Sequence, residues 1–390
     1  MSKLFAAGLA ASASAVALSS PAHAIDEVIA TEKARIRVQT IVDGLEHPWG
    51  IELLADGSAL VTERPGRLRL MSPDGSLSDP IVGVPEVDAR RQGGLLDVAL
   101  DPAFADNRRV YLSYSEPGEN GTNSTAVARG TLASDNSALS DVEVIFSQKP
   151  KVASTAHFGS RIVFDRNGDL FITLGERSSE EFRAQAQDLG SHLGKIVRLH
   201  PDGAVPEDNP FVQTEGALPE IWSYGHRNVQ AAAINPASGE LWAIEHGPRG
   251  GDEINIPKAG ANYGWPEVSF GVNYSGSPVG TGNADAPGFE DPIYQWTPVI
   301  APSGMTFASG NAFPGWEGNL FVGGLAATTL VRLEVQGNSV VHEERLLESA
   351  GLRIRDVVEG PDGALYVITD EDEGEVLRIG PADAGAPAPE

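Results

Sequence analysis

The sequence predicts an all-β chain, a six-bladed β-propeller of four-stranded antiparallel blades. Three observations lead there. A hairpin unit of two alternating apolar stretches recurs six times, several of its turns are Asp-Gly or Asn-Gly, and no helical period of useful length competes. Period-two alternation on both sides of such a turn is the mark of a hairpin with one buried face.

The units follow in chain order. Trp49-Gly50-Ile51-Glu52-Leu53 leads through Asp56-Gly57 to Ala59-Leu60-Val61-Thr62, and Leu96-Asp97-Val98-Ala99-Leu100 leads to Val110-Tyr111-Leu112-Ser113. Arg161-Ile162-Val163-Phe164 turns at Asn167-Gly168 into Leu170-Phe171-Ile172-Thr173, and Ala233-Ile234-Asn235 precedes Leu241-Trp242-Ala243-Ile244. Gly304-Met305-Thr306-Phe307 precedes Asn319-Leu320-Phe321-Val322, and Asp356-Val357-Val358-Glu359 turns at Asp362-Gly363 into Leu365-Tyr366-Val367-Ile368. The spacing is irregular, roughly 45 to 80 residues, so insertions sit between units, as in repeat arrays whose loops on one face carry function. A lone blade cannot bury both faces, and a ring of blades can. A two-layer sandwich uses the same alternation and is the structural alternative.

Before the first unit, Met1-Ser2-Lys3 is followed by an Ala-rich apolar run from Leu4 to Leu18 and by Ser19-Ser20-Pro21-Ala22-His23-Ala24, a small-x-small cleavage pattern. The expected organisation is a signal peptide over 1–24, a single catalytic propeller over 25–380 and a disordered low-complexity tail over 381–390. The chain is thus expected to be exported, periplasmic or secreted, with no membrane span, because no later run approaches the roughly 20 apolar residues a spanning helix needs. It contains no Cys, so thiol chemistry and disulfides are excluded. A net charge of -26 disfavours nucleic acid and anionic membranes as partners and is compatible with neutral sugars and divalent cations.

Four stretches hold residues that a hairpin does not require. Arg91-Gln92-Gly93-Gly94-Leu95-Leu96-Asp97 precedes a blade strand, although a lone Gly-Gly is more often a tight turn. His157, in Ala156-His157-Phe158-Gly159-Ser160-Arg161, starts another strand, and Glu176 follows the return strand, where it can orient an imidazole acting as a base. A lone His at a strand start is more often a structural hydrogen-bonder. Ser223-Tyr224-Gly225-His226-Arg227-Asn228 suits a planar polar ligand. Glu245-His246-Gly247-Pro248-Arg249-Gly250-Gly251-Asp252-Glu253-Ile254-Asn255, continuing to Asn262-Tyr263-Gly264-Trp265-Pro266, offers carboxylates and glycine-freed carbonyls, the hard oxygen ligands of Ca²⁺, without EF-hand spacing.

Taken in order, these motifs with Arg353-Ile354-Arg355-Asp356 resemble the series found in soluble aldose and glucose dehydrogenases that depend on pyrroloquinoline quinone (PQQ), over nearly the whole mature chain. The resemblance implies oxidation of an aldose to its lactone, with PQQ and Ca²⁺ as cofactors, a separate electron acceptor, and a monomeric or dimeric protein. It implies His157 as the general base held by Glu176. It implies Gln92, Arg227, Asn228, Tyr274, Arg353 and Arg355 as PQQ contacts. It implies that the carbonyls of Gly247 and Pro248 hold the calcium that polarises the quinone, and that Glu253 with Tyr263 belongs to a calcium site in the same loop. In one place the chain departs from the pattern: Gly323-Gly324-Leu325-Ala326-Ala327-Thr328-Thr329-Leu330 stands where the family often has a Lys near the cofactor. A calcium-dependent lactonase and a non-catalytic binding propeller remain as other readings.

Overall fold

The computed structural model describes residues 24–382. The expected signal peptide, apart from Ala24, and the tail from 383 onwards lie outside the described residues. Six antiparallel sheets form the molecule. The first strand of each is one of the six expected hairpin strands: Pro48–Leu53, Leu95–Leu100, Gly159–Phe164, Val229–Ile234, Pro302–Phe307 and Ile354–Glu359. Each touches the first strand of the blade before and after it, and the last touches the first, which closes a ring.

Alternation gives each blade two apolar faces, and the core divides accordingly into clusters between neighbouring blades. Tyr111, Val127 and Phe146 of the second blade pack on Ile162, Ile172 and Leu174 of the third. Trp242 and Ile244 of the fourth pack on Leu320, Val322 and Val331 of the fifth. A blade taken alone would leave such a face in water.

The blades differ in strand number. Four sheets have four strands, the first has three and the last has five. The segment after Arg67–Met71 does not complete the first blade: Pro80 and Pro85 interrupt it, and Val82 instead pairs in parallel with Ala138 of the second blade. The last blade is completed from the other end of the chain. Arg35–Leu45 pairs antiparallel with Gly374–Pro381, and Asp26–Ala30 adds the fifth strand. Pro381, expected in the disordered tail, is paired with Ile36, so the last blade extends to this residue. No helix among the described residues is long and apolar enough to cross a membrane.

All six inner strands carry a register shift near their start, between Pro48 and Ile51, Leu95 and Val98, Gly159 and Ile162, Val229 and Ala231, Pro302 and Met305, and Ile354 and Asp356. A bulge re-aims the side chains beside it, and here it turns them to the axis. Arg161 Nη1 of the third blade donates to Asp97 Oδ1 of the second at 2.6 Å and to Asp356 Oδ2 of the sixth at 3.0 Å, an ion triad across the channel. Gly304 leaves room for it, since a Cβ there would lie 1.7 Å from Asp356 Oδ1. Trp49, Leu96 and Phe158 form an apolar cluster beside the triad, with the Arg161 guanidinium 4.7 Å from the Trp49 ring.

Candidate active site

Two glycines create the local geometry around His157. A Cβ on Gly175 would lie 2.0 Å from the His157 carbonyl oxygen, and one on Gly159 would lie 2.6 Å from the Leu174 backbone, so only glycine lets the two ends of this hairpin pinch together. The pinch holds His157 at φ 51, in the left-handed region, where a non-glycine residue is uncommon. Gln92 Oε1 accepts the His157 N–H at 2.9 Å, and Asn228 Oδ1 accepts the Gly159 N–H at 3.1 Å. The ring is thereby aimed so that Nδ1 lies 2.8 Å from Glu176 Oε2.

Both groups of this pair are buried. Desolvation draws the His157 pKa below its ordinary value, Glu176 opposes this, and the Arg227 charge adds to it. For Glu176, burial pushes upward, but His157, Arg227 and the Ser178 N–H win and hold the carboxyl below its ordinary range. The pair is therefore an ionised carboxylate accepting from Nδ1–H of a neutral imidazole. That tautomer leaves the Nε2 lone pair free.

Arg227 joins this pair to the next blade. Its N–H donates to Glu245 Oε2 at 2.6 Å, its Nη1 donates to the carbonyls of His246 and Gly247 at 2.9 and 2.8 Å, and its guanidinium lies 5.2 Å from the Trp265 ring. Beside it is a cavity of about 10 Å³, the space of one small ion, lined by Gly247, Pro248, Glu253 and Tyr263 among others. Glu253 there receives one long hydrogen bond, from Asn255 Nδ2 at 3.4 Å. Burial, and then the charge of Glu245, push its carboxyl well above the ordinary range. A desolvated carboxylate next to a second one is a cation-seeking arrangement. The Tyr263 hydroxyl is not free to join it, because it donates to the Ile256 carbonyl at 2.6 Å while the ring stacks on His226.

The axis opens into a larger cavity, of about 410 Å³, whose walls include Trp49, Gln92, His246, Arg353, Arg355 and Asp370. Arg355 is the bulged residue of its strand and Arg353 lies just before it, which is how two alternate residues reach one cavity. Their Nη2 atoms both donate to Asp370 Oδ2, at 2.7 and 3.0 Å. His246 is pushed down to about 3, first by burial, and stays neutral.

The structure thus brings together His157, Glu176, Gln92, Arg227, Arg353, Arg355 and the calcium candidates around one end of the ring. Asn228 and Tyr274, both expected contacts, lie off the axial cavity wall. Asn228 lines none of these cavities: its side-chain oxygen is spent on the Gly159 backbone, so it supports the His157 turn. Tyr274 is 74% exposed and sits on the rim of an adjoining cavity of about 280 Å³, whose walls include Glu176, Arg227 and Pro248 of the same site. Sequence reasoning missed His47, Arg64, Gln230, His246 and Asp370 as cavity residues. The signal for three of them was positional, since Arg64, His246 and Asp370 each directly follow the second strand of a blade.

Comparison with known proteins places the chain among sugar dehydrogenases. The chain is 48% identical over 350 residues to the aldose sugar dehydrogenase YliI of Escherichia coli (strain K12), covering 89% of this chain and 94% of that one. It is 28% identical over 424 residues to quinoprotein glucose dehydrogenase B of Acinetobacter calcoaceticus, covering 87% and 88%. The structure of a PQQ-bound aldose sugar dehydrogenase from Streptomyces coelicolor superposes with a TM-score of 0.71 at 28% identity, covering 89% of this chain and 99% of that one. The glucose/sorbosone dehydrogenase family model matches residues 45–378. With that span of the chain matched, the protein belongs to the glucose/sorbosone dehydrogenase family and is an oxidoreductase on a six-bladed propeller.

Proposed function

We propose that the protein oxidises aldoses to lactones with PQQ and calcium, His157 acting as the base, and passes the electrons to a separate acceptor. The observation that carries this reading is the buried pair of neutral His157 and ionised Glu176 beside a cavity walled by guanidinium groups. The donor sets fit the two cofactors. PQQ is a planar tricarboxylate quinone, and Gln92, Arg353 and Arg355 offer an amide and two forked cations on one cavity. Calcium takes oxygen ligands, and Glu253 with the carbonyl-rich Gly247-Pro248 turn supplies them. When bound, PQQ is the two-electron acceptor and calcium the Lewis acid beside it.

The part of the chain itself is to position the sugar and take a proton. The lactone is the aldose less one hydride and one proton, and the proton of the anomeric hydroxyl goes to Nε2 of His157. Glu176 keeps Nδ1 protonated and steadies the imidazolium that results. Export through the leader is part of the same proposal, tested by whether mature protein from the native host begins near Ile25.

The deciding experiment adds PQQ and Ca²⁺ to purified apo-protein and follows absorption, dye reduction with a panel of aldoses, and melting temperature. Activity that appears with both cofactors, vanishes with EGTA together with a fall in melting temperature, and returns with Ca²⁺ but poorly with Mg²⁺ supports the reading. Lactone hydrolysis without any dye reduction would favour a lactonase, and a fully active enzyme containing no calcium by elemental analysis would remove the metal assignment. Replacing Arg353 or Arg355 by Lys is expected to weaken PQQ binding about tenfold, since a point charge cannot reproduce the guanidinium fork. Overlaying PQQ titrations for both variants and wild type would take these two arginines out of the site.

A further inference from the structure

The axial cavity holds a third guanidinium, with different company. Arg353 and Arg355 share Asp370, so part of their charge is already balanced. Arg64, on the wall of the same cavity, makes no ion pair among the described residues. Its Nη1 donates to the Arg91 carbonyl, and its Nε is buried without a partner.

The fold holds Arg64 there firmly. Its N–H donates to the His47 carbonyl at 3.2 Å, and its own carbonyl accepts the Leu95 N–H at 3.2 Å, tying it to two blades. Gly94 makes the second bond attainable, because a Cβ there would lie 2.0 Å from the Arg64 carbonyl oxygen at a φ of +135°. Gly94 is thus needed for the chain to cross over Arg64. Arg64 also acts on the other two arginines' environment: its charge helps hold Asp370 ionised and disfavours the charged form of Arg355. Three cations therefore converge on one small cavity against one carboxylate, in a chain whose net charge is -26. Such an excess is costly unless an anion relieves it.

We propose that Arg64 is a cofactor-binding residue, the unpaired third cation of the axial cavity, and that it takes one carboxylate of a planar tricarboxylate ligand while Arg353 and Arg355 hold the others. This rests on the PQQ reading and adds a residue that its motifs do not contain. It also gives the cradle a cation in a chain where Ala326 lines the cavity, within the stretch in which the family often has a lysine.

The test is an equilibrium titration of calcium-loaded apo-protein with PQQ, read by absorbance and fluorescence. Arg64→Gln should raise Kd by about 10- to 100-fold, the usual loss for a charge-assisted hydrogen-bonded pair, and Arg64→Lys should fall between it and wild type. The salt dependence of log Kd should flatten in Arg64→Gln, because one ion pair with the ligand is gone. Far-UV circular dichroism of the apo-variants separates loss of binding from loss of fold, and Arg64→Lys carries the test if Arg64→Gln does not fold. Benzene-1,3,5-tricarboxylate, as a competitor of stated charge, should displace PQQ from wild type and protect it against thermal unfolding more than it protects Arg64→Gln. If the Arg64→Gln titration overlays wild type while Arg355→Lys is weakened, this assignment falls and the PQQ reading stands. If wild type binds no PQQ at all, the reading itself falls and this assignment with it.

Discussion

Substituting His157 is expected to lower turnover by roughly 10²–10⁴-fold, the loss that follows removal of a positioned proton acceptor. His157→Asn is the cleaner variant because Asn tolerates the left-handed backbone that His157 occupies, whereas Ala at φ 51 adds strain of its own. PQQ binding should survive, since the imidazole is not on the wall of the axial cavity. The pH profile is a second readout. The base is the neutral imidazole, and burial has lowered its pKa, so kcat/KM should hold to below the ordinary histidine value of about 6.5 and fall as the pH drops through the folded value. In Glu176→Gln the raising influence of the carboxylate is gone, and the acid limb should move lower still while kcat decreases. Near wild-type turnover in His157→Asn, or an acid limb above neutrality, would remove His157 from the mechanism.

Arg161→Met is expected to destabilise the fold by about 3–5 kcal/mol, the usual result of removing one member of a buried ion group. The variant leaves Asp97 and Asp356 facing each other across the axis with their shared cation gone. Already in the wild type, burial first and then their mutual repulsion raise Asp97 to about 7 against the pull of Arg161. A carboxyl whose folded pKa lies above its unfolded value binds more protons when folded, so its cost is greatest at pH above the folded value. The deficit of Arg161→Met in urea unfolding should therefore be large at pH 8 and shrink as pH falls towards 5. A deficit independent of pH would mean that lost packing against Trp49, rather than uncompensated charge, is what the substitution exposes.

Much of the ring was legible in the sequence because its signals are local. Asp56-Gly57, Asn167-Gly168 and Asp362-Gly363 mark turns, and the stretches beside them alternate within ten residues or so. His157 and Glu176 were legible as a pair because they sit at the two ends of one hairpin. The Arg353 and Arg355 spacing required a bulge, and the strand has one. What was not legible depends on closure of the ring. Arg64 and Asp370 belong to the first and last blades, some 300 residues apart, and share a cavity only because those blades are neighbours. The Asp97, Arg161 and Asp356 triad likewise draws on three blades. Asn228 reads as a ligand residue in sequence, and nothing local tells that the Gly159 backbone will claim its oxygen.

The pairing of Arg35–Leu45 with Gly374–Pro381 has a consequence for how the molecule is made. During synthesis Arg35–Leu45 emerges long before its partner, and Ile36 waits for Pro381. Until then the first blade lacks one neighbour and its apolar flank, with Ile51, Val61 and Met71, stays uncovered. Contacts of such sequence separation form late, because the entropy of closing the intervening chain must be met before they give anything back. The last blade thus cannot be completed while the polypeptide is still being delivered. Once locked, the two segments fasten each other, so loss of Arg35–Leu45 or of Gly374–Pro381 loosens the circle at a single seam.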